Sequence, residues 1–193
     1  MVSLILEEAL NKRASEHKIS PYILGRWSPR AMSGEDISDE ELMPPFEAAK
    51  WAPSASNIQP WRFIYAKKGT EYWDTFFDLL IEFNRLWAKN ASVLALIISD
   101  SESETHSFDA GAAWENLAIE AAGRGIVSHA MAGFDYERAK KELKIPEKFR
   151  VEAMVAIGKH APRDVLPERM QKSETPSARK PLKEIIMEGI FKA

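Results

Sequence analysis

Five segments of the chain have the character of helices, and in residues 2–16 and 72–87 apolar residues recur at intervals of three and four, which is the period of an amphipathic helix. The pattern predicts helices over about residues 2–16, 44–51, 72–87, 107–123 and 137–143. Ahead of the second helix, Ser38 and Glu41 have the spacing of a capping box. Pro44 and Pro45 then interrupt the helical pattern. We therefore expect a separate turn at residues 38–43, with one of the prolines opening the main helix, rather than one kinked helix.

Four shorter segments have the length and composition of β-strands, at residues 61–66, 93–99, 126–131 and 151–158. The second is a continuous apolar run, VLALIIS, which is typical of a strand covered on both faces. The mixture of strands and helices, with one long alanine-rich helix, indicates an α+β sandwich. We expect a single domain over residues 1–193, of which about 163–193 form a C-terminal arm.

Two of the predicted helices permit more than one interpretation. The aromatic stripe of residues 72–87 is typical of a buried core face, and it could also cover a ligand pocket. The helix at residues 107–123 carries mostly small side chains, so a second helix could pack closely against it. The sequence alone favours neither contact with another subunit nor burial of this helix within its own chain.

Composition narrows the possible partners and location. The chain has a formal net charge of −3, with 45% hydrophobic and 28% charged residues, which suits a soluble globular protein. It lacks a basic block, so we expect neither nucleic acid nor an anionic membrane as a partner. Its first residues turn acidic too soon for a secretory signal, and no apolar run reaches the roughly 20 residues of a membrane span. We therefore expect a cytoplasmic protein.

Several kinds of site are excluded or disfavoured. The chain has no cysteine, which excludes disulfides, thiolate metal sites and a cysteine nucleophile. The histidines have no spacing typical of metal ligation, and no Ser-His-Asp arrangement is readable. His129, on the predicted third strand, is expected to be a packed or surface histidine rather than a catalytic one.

Candidate chemistry lies in two clusters of residues. In the first, RWSPR, Arg26 and Arg30 could each bind a phosphate through paired donors, and Pro29 restricts Ser28 to an extended conformation. The second, residues 53–59, is a run of small polar side chains that would let the backbone approach a flat, polar-edged ligand. Taken separately, these clusters would be interpreted as solvated surface arginines and an ordinary polar loop.

Taken together, the two clusters resemble the motifs of the FMN-dependent nitroreductase family. Arg26, Ser28 and Arg30 match the family's Arg-x-Ser-x-Arg/Lys motif. Residues 52–61 match its Ala-Pro-Ser-x-x-Asn-x-Gln-Pro-Trp motif. The resemblance continues in family order through WENL, AGFD and RKPL, so that it covers about residues 20–190.

This resemblance implies a nitroreductase-like three-layer sandwich, in which helices flank a central mixed sheet. It also implies a homodimer that exchanges C-terminal arms and binds FMN at each subunit interface. One subunit would supply Arg26, Ser28, Arg30 and Arg179, and the other would supply Pro53, Ser54, Ala55 and Asn57.

The resemblance also implies roles for individual residues. Arg26 and Arg179 would bind the FMN phosphate, and Arg30 would stabilise negative charge on the reduced ring. Main-chain amides at Ala132 and Gly133 would face flavin N5. The other expected cofactor contacts are Trp27, Gln59, Asn84 and Met131. The role of Asn84 is the weakest of these, because some family members place a lysine three positions later, where this chain has Trp87.

The function implied is that of an FMN-dependent oxidoreductase without a metal or a protein nucleophile. It would transfer a hydride from NAD(P)H through flavin N5 to a nitroaromatic, a quinone or a related small acceptor, by a ping-pong mechanism. Three alternatives remain at this stage. They are an FMN-sequestering protein without significant turnover, a specialised enzyme of the same fold (flavin fragmentation or reductive dehalogenation), and an interaction domain without flavin.

Overall fold

The computed structural model describes residues 3–191, and its centre is one four-stranded sheet in the order β1-β2-β4-β3. The strands are β1 Trp61–Lys67, β2 Val93–Asp100, β3 Ile126–Met131 and β4 Phe149–Lys159. All three pairings are antiparallel, so the sheet formed by residues 3–191 is not the mixed sheet expected from the sequence. The reason is that β4 lies between β2 and β3, which run in the same direction but do not pair.

Eight α-helices surround the sheet in the described part of the chain. They are α1 Leu4–Leu10, α2 Pro21–Gly25, α3 Asp39–Lys50, α4 Trp73–Asp78, α5 Glu82–Ala88, α6 His106–Gly123, α7 Tyr136–Glu142 and α8 Glu168–Gln171. Short 3₁₀ turns lie at Ala55–Asn57, Arg163–Val165 and Leu182–Glu184. None of the helices within residues 3–191 is long and apolar enough to cross a membrane.

Helices cover both faces of the sheet, which confirms the three-layer α+β sandwich. Strand β2 is buried from Val93 to Ser99, and its successive side chains enter two different hydrophobic clusters. Leu94 and Leu96 pack in the cluster that α1, α4 and α5 complete, whereas Ala95 and Ile97 pack in the cluster that α3 and α6 complete. The period of two in a strand therefore divides one apolar run between two cores.

Helix α3 contains both prolines, so the separate turn predicted at residues 38–43 is wrong. The predicted capping box is present, since Ser38 Oγ accepts from the N–H of Glu41 at 3.3 Å and Glu41 Oε2 accepts from the N–H of Ser38 at 2.9 Å. Pro44 and Pro45 lie in the second turn, where each removes only one hydrogen bond to the exposed first turn. Pro45 is buried, so packing as well as the cap stabilises the continuous helix.

The helix predicted over residues 72–87 is two helices, α4 and α5, separated by residues 79–81. The main chain of this break pairs with the turn after β3: Leu79 accepts from Asp135 at 2.9 Å, and Ile81 donates to Gly133 at 3.1 Å. Because these groups are used outside the helix, helical hydrogen bonding stops there. The core interpretation of the aromatic stripe is confirmed for Trp73 and the other buried members, but Phe83 is exposed.

The two ends of the chain differ from the predicted bounds. Helix α1 ends at Leu10, well short of residue 16. The start of the predicted arm, around Leu166 and Met170, packs against the core, whereas the large apolar side chains beyond residue 184 are exposed. Residue 2 of the predicted first helix and residues 192–193 of the predicted arm lie outside the described residues.

Candidate functional site

Four arginines surround one cavity of about 220 Å³ near the ends of α1 and α2. They are Arg13, Arg26, Arg30 and Arg179, and the same cavity is lined by Trp27, Ser28, His129, Ser173, Glu174, Thr175 and Ser177. We call this cavity the arginine pocket. It brings together five of the predicted contacts, from two segments that are about 150 residues apart in sequence. Guanidinium groups that converge on one cavity are the donors that a phosphate group requires.

Arg13 joins the two segments that form the arginine pocket, and the sequence offered no motif that singles it out. Its Nη1 donates to the carbonyl oxygens of Leu24 at 2.8 Å and Arg26 at 2.7 Å. Its Nε donates to the carbonyl oxygen of Ser177 at 3.0 Å. Burial, and then the positive charges of Arg179 and Arg26, lower the pKa of Arg13. The pocket therefore concentrates positive charge.

Arg26 carries a buried donor that makes no hydrogen bond in the described part of the chain. Its Nη1 donates to Ser28 Oγ at 3.2 Å. Its Nε lies 3.2 Å from Glu115 Oε1 on α6, but without the geometry of a hydrogen bond, so this buried atom has no hydrogen-bond partner within residues 3–191. A donor that is ion-paired but makes no hydrogen bond, at the edge of a cationic pocket, is a position that an anionic ligand could satisfy.

Glu174 is the acidic residue that lines the arginine pocket. Its Oε1 accepts from the main-chain N–H groups of Arg30 at 2.5 Å and Ala31 at 2.8 Å. Its Oε2 lies 4.0 Å from Arg30 Nη1, which is too long for a hydrogen bond. Glu174 therefore fixes the backbone that carries Arg30, across 144 residues of sequence.

His129 and Trp27 support the arginine pocket from within the fold. His129 Nδ1 lies 2.8 Å from the carbonyl oxygen of Ser28 and 3.1 Å from that of Pro29, so Nδ1 carries the proton and donates. Burial, followed by the positive charge of Arg30, lowers the pKa of His129 to about 4, so this packed histidine is neutral at pH 7. Trp27 is also buried, and its Nε1 donates to the carbonyl oxygen of Ile5 at 3.2 Å.

Three further predicted contacts, Met131, Ala132 and Gly133, lie at the end of β3 and in the turn after it, and Asn84 lies against this turn. Met131 is buried in the core, whereas Ala132 is exposed. Asn84 Nδ2 donates to the carbonyl oxygen of Gly133 at 3.0 Å, and its Oδ1 accepts from Trp87 Nε1 at 3.3 Å. Both polar atoms of the Asn84 amide are therefore engaged within the chain.

Two side chains of the same chain leave little room for a side chain at Gly133. A Cβ atom at this position would lie 2.6 Å from Asn84 Nδ2 and 2.7 Å from Ile81 Cδ1. The close approach of a ligand to Gly133 stays a prediction, and within the chain Asn84 is the side chain that lies closest to it. Within residues 3–191, the N–H of Gly133 donates no hydrogen bond, so it is available to an acceptor outside the chain.

The predicted polar loop, residues 53–59, is exposed and strained. Ser56, Asn57 and Gln59 have φ of 49°, 56° and 52°, in the left-handed region that non-glycine residues rarely adopt. Ser54 Oγ accepts from the N–H of Gln59 at 3.0 Å. The buried Asp109 of α6 accepts from the N–H of Ala55 at 3.2 Å. These contacts hold the loop at the N-terminal end of α6.

A single chain does not bring the two predicted clusters together. None of the loop residues Pro53, Ser54, Ala55, Asn57 and Gln59 lines the arginine pocket. Asn84, Met131, Ala132 and Gly133 do not line it either. The arginine pocket and the turn after β3 are nevertheless linked, because the rings of His129 and Trp87 lie 4.7 Å apart. The described part of the chain contains no group of three or more side chains that could hold a metal ion.

Known proteins resemble this chain over most of its length. The model of the Nitroreductase family matches residues 23–85 and 77–159. A protein of Archaeoglobus fulgidus, named "Putative NADH dehydrogenase/NAD(P)H nitroreductase", is 32% identical over 151 residues, which span 70% of this chain and 82% of the relative.

Two solved structures share both sequence and fold with the chain. An oxidoreductase containing FMN is 47% identical and has a TM-score of 0.91, with coverage of 94% of this chain and 97% of that one. A candidate nitroreductase from Desulfovibrio desulfuricans, solved in complex with FMN, is 26% identical and has a TM-score of 0.73, with coverage of 92% and 100%.

Proposed function

Because the chain belongs to the nitroreductase family, we propose that it is an FMN-dependent NAD(P)H oxidoreductase. It reduces a nitroaromatic, a quinone or a related small acceptor by a ping-pong mechanism. The observation that carries this proposal is the arginine pocket, in which four guanidinium groups converge. When bound, FMN supplies the redox chemistry, since it takes a hydride from NAD(P)H at N5 and passes two electrons to the acceptor.

The arginine pocket fits the phosphate group of FMN. A phosphate monoester carries nearly two negative charges at pH 7 and three acceptor oxygens. Arg26 and Arg179 would hold it through charge-assisted hydrogen bonds, and the buried Nε of Arg26 would gain the partner that it lacks within residues 3–191. Two relatives of this chain contain FMN by name.

Two further groups would stabilise the cofactor as it is reduced. Arg30 would place a fixed positive charge beside the part of the ring that becomes negative, which favours reduction. The free N–H of Gly133 would donate to the ring near N5, and it cannot titrate. Neither role requires a protein nucleophile, a general base or a metal ion.

A complete site would need a second protomer. The arginine pocket, at about 220 Å³, is smaller than the roughly 300–1,000 Å³ of pockets that hold ligands of drug size. The loop of residues 53–59, with its predicted contacts Pro53, Ser54, Ala55, Asn57 and Gln59, does not reach it within the chain. We therefore assign this loop to the site of the partner subunit, in a homodimer.

The exposed side of α6 supports this assignment. Its buried side faces α3 and the sheet, whereas Phe108 is 81% exposed and Gly111 borders open space. On α6, Asp109 accepts a hydrogen bond from the loop, and Glu115 contacts Arg26. Asp109 and Glu115 are six residues apart on the helix, which is a distance of about 9 Å along its axis. Two α6 helices that pack antiparallel about a two-fold axis near Ala112 would place the loop of one protomer beside the arginine pocket of the other.

The last described residues favour an exchanged arm. Ile185, Ile186, Ile190 and Phe191 have between 58% and 82% of their surface exposed in a single chain. A run of uncovered apolar side chains is typical of a segment that packs against another subunit. The arm is anchored at its start, since the N–H of Leu182 donates to Glu16 Oε1 at 2.8 Å. We propose that the arm beyond this anchor packs on the partner.

The decisive experiment is purification of the full chain, followed by its visible absorption spectrum and its mass in solution by light scattering. We expect a yellow dimer that NADH or NADPH bleaches under anaerobic conditions and that a quinone reoxidises through repeated turnovers. Bleaching without turnover would support the sequestering alternative. A colourless monomer that takes up no added FMN would overturn the proposal.

A matched pair of variants tests the arginine pocket itself. Arg26→Ala removes a proposed phosphate donor, and we expect its affinity for FMN to fall at least tenfold, because a hydrogen bond to a charged group contributes about 1.5–3 kcal/mol. Arg138→Ala is the control, because Arg138 is exposed on α7 and pairs with Glu142. Equal FMN affinity in the two variants would contradict the role of Arg26.

A further inference from the structure

Glu174 is unusual for its surroundings. It is only 5% exposed, and it lines a pocket that also contains four arginines. Its Oε1 accepts two main-chain hydrogen bonds, whereas its Oε2 is buried without a hydrogen-bond partner within residues 3–191. The cation nearest to this oxygen in the pocket is Arg30, with Nη1 at 4.0 Å.

The anchoring role of Glu174 does not explain its negative charge. The N–H groups of Arg30 and Ala31 need only an acceptor oxygen, which the amide of a glutamine would also supply. A buried carboxylate with one unpaired oxygen is costly for the folded chain. It also weakens the attraction of the pocket for any anion. The neighbouring arginines offset part of the cost of burying this carboxylate, but the charge still opposes anion binding at this position.

We propose that Glu174 is a counter-charge that holds the reduction potential of the bound cofactor below the value that the arginines alone would set. This inference rests on the proposed function, in which the arginine pocket holds the FMN phosphate and Arg30 lies beside the ring. A cofactor that gains electrons becomes more negative, so a nearby carboxylate disfavours its reduced form relative to its oxidised form. At 4.0 Å from Arg30 Nη1, Glu174 also offsets part of the positive charge that would stabilise the reduced form.

A lower potential has a consequence for the reaction. The arginines make the cofactor easier to reduce, and Glu174 makes the reduced cofactor a stronger donor to its acceptor. The residue acts on the cofactor through charge and through the position of Arg30, so it is a positioning residue rather than a catalytic one. Its effect appears in the equilibrium between the oxidised and reduced forms, which can be measured without any acceptor.

The test is a spectroelectrochemical titration of FMN-loaded protein. Glu174→Gln keeps the acceptor oxygen and removes the charge. We expect the affinity for reduced FMN, relative to oxidised FMN, to rise about tenfold, which corresponds to a midpoint potential about 30 mV higher for a two-electron couple. Glu120→Gln is the matched control, because Glu120 on α6 pairs with Arg124 just beyond the helix and does not line the pocket. We expect the potential of this variant to equal that of the wild type.

A second neutral variant separates charge from anchoring. Glu174→Ala also removes the acceptor oxygen, so we expect it to raise the potential as Glu174→Gln does but to lose FMN more readily. If both variants bind FMN with the potential of the wild type, the counter-charge role is wrong and the proposed function stands. If the wild type binds no FMN at all, the proposed function is wrong and this inference is overturned with it.

Discussion

The side-chain amide of Asn84 donates a hydrogen bond to the main-chain carbonyl of Gly133 at 3.0 Å, across 49 residues of sequence. The same amide accepts from Trp87 Nε1, and its nitrogen occupies the space that a Cβ atom on Gly133 would need. Asn84 therefore positions the turn after β3, and its direct contact with the cofactor stays a prediction. Trp87, which occupies the position where some family members have a lysine, orients the Asn84 amide through this hydrogen bond.

Replacement of Asn84 tests this relationship through stability. Asn84→Ala leaves the buried Trp87 Nε1 without its partner and removes a donor from Gly133. We expect the free energy of unfolding to fall by about 2 kcal/mol, measured by urea denaturation, because an unsatisfied buried polar group costs about 1–3 kcal/mol. Asn90→Ala is the control, because this half-buried asparagine makes no side-chain hydrogen bond within residues 3–191. Equal losses in the two variants would contradict the positioning role.

A methyl group on Gly133 probes the same contact from the other side. Gly133→Ala places Cβ 2.6 Å from Asn84 Nδ2, and we expect a loss of about 1–3 kcal/mol from overpacking. In the double variant with Asn84→Ala the amide is absent. The loss of stability in the double variant should therefore be smaller than the sum of the losses in the two single variants. Urea denaturation of all four proteins measures this coupling. Strict additivity would mean that the two residues do not act as a unit.

The arginine motif could be predicted because it is local. Arg26, Ser28 and Arg30 lie within five residues, and the interpretation came from their match to the family motif together with the match of residues 52–61. Arg13 and Glu174 could not be predicted, because their roles depend on hydrogen bonds that join distant parts of the chain. No sequence pattern marks either residue, and each takes part in the candidate site only because the fold places it beside the arginine motif.

The same distinction explains where the predicted elements were wrong. The strands were predicted to within one or two residues because the apolar pattern of a strand is a local property. The break between α4 and α5 at residues 79–81 was not predicted. Its main-chain groups form hydrogen bonds with residues 133–135, which are distant in sequence. The antiparallel sheet was missed for the same reason, since the position of β4 between β2 and β3 is a property of the whole fold.

The buried imidazole of His129 makes stability depend on pH. Its pKa is lowered to about 4 in the folded chain, from an ordinary 6.5, chiefly by burial. The unfolded chain therefore binds this proton more readily, and stability is lost as the pH falls through 6.5 toward 4. We expect His129→Gln to remove this part of the pH dependence. Between about pH 7 and pH 5, the wild type should lose about 1–2 kcal/mol more than the variant.

Urea denaturation at several pH values measures this difference. His17→Gln is the matched control, because His17 is exposed and should leave the pH dependence as in the wild type. If His129→Gln and the wild type lose stability in parallel as the pH falls, the protonation of His129 does not contribute to acid destabilisation.

Asp109 restrains the strained loop of residues 53–59. Its Oδ2 accepts from the N–H of Ala55 at 3.2 Å and from Thr105 Oγ1 at 2.9 Å. Left-handed residues persist only where their surroundings hold them. We expect Asp109→Ala to raise amide hydrogen exchange in the loop by about tenfold, which corresponds to a loss of about 1.4 kcal/mol of local stability. Asp74→Ala, an exposed position on α4, should leave this exchange unchanged. If the loop of residues 53–59 stays protected from hydrogen exchange in Asp109→Ala, contacts other than those of Asp109 hold the loop.

Gly111 distinguishes a free surface of α6 from a dimer interface. In an isolated chain a Cβ here meets nothing within 4 Å, so Gly111→Ala should stabilise the helix by about 1 kcal/mol. In the proposed dimer a partner helix packs closely at this position, so the added methyl group should instead raise the dimer dissociation constant at least tenfold. Light scattering over a dilution series measures this, with Lys141→Ala on the exposed side of α7 as the control. A Gly111→Ala protein that melts at a higher temperature and dimerises like the wild type would show that α6 faces water here.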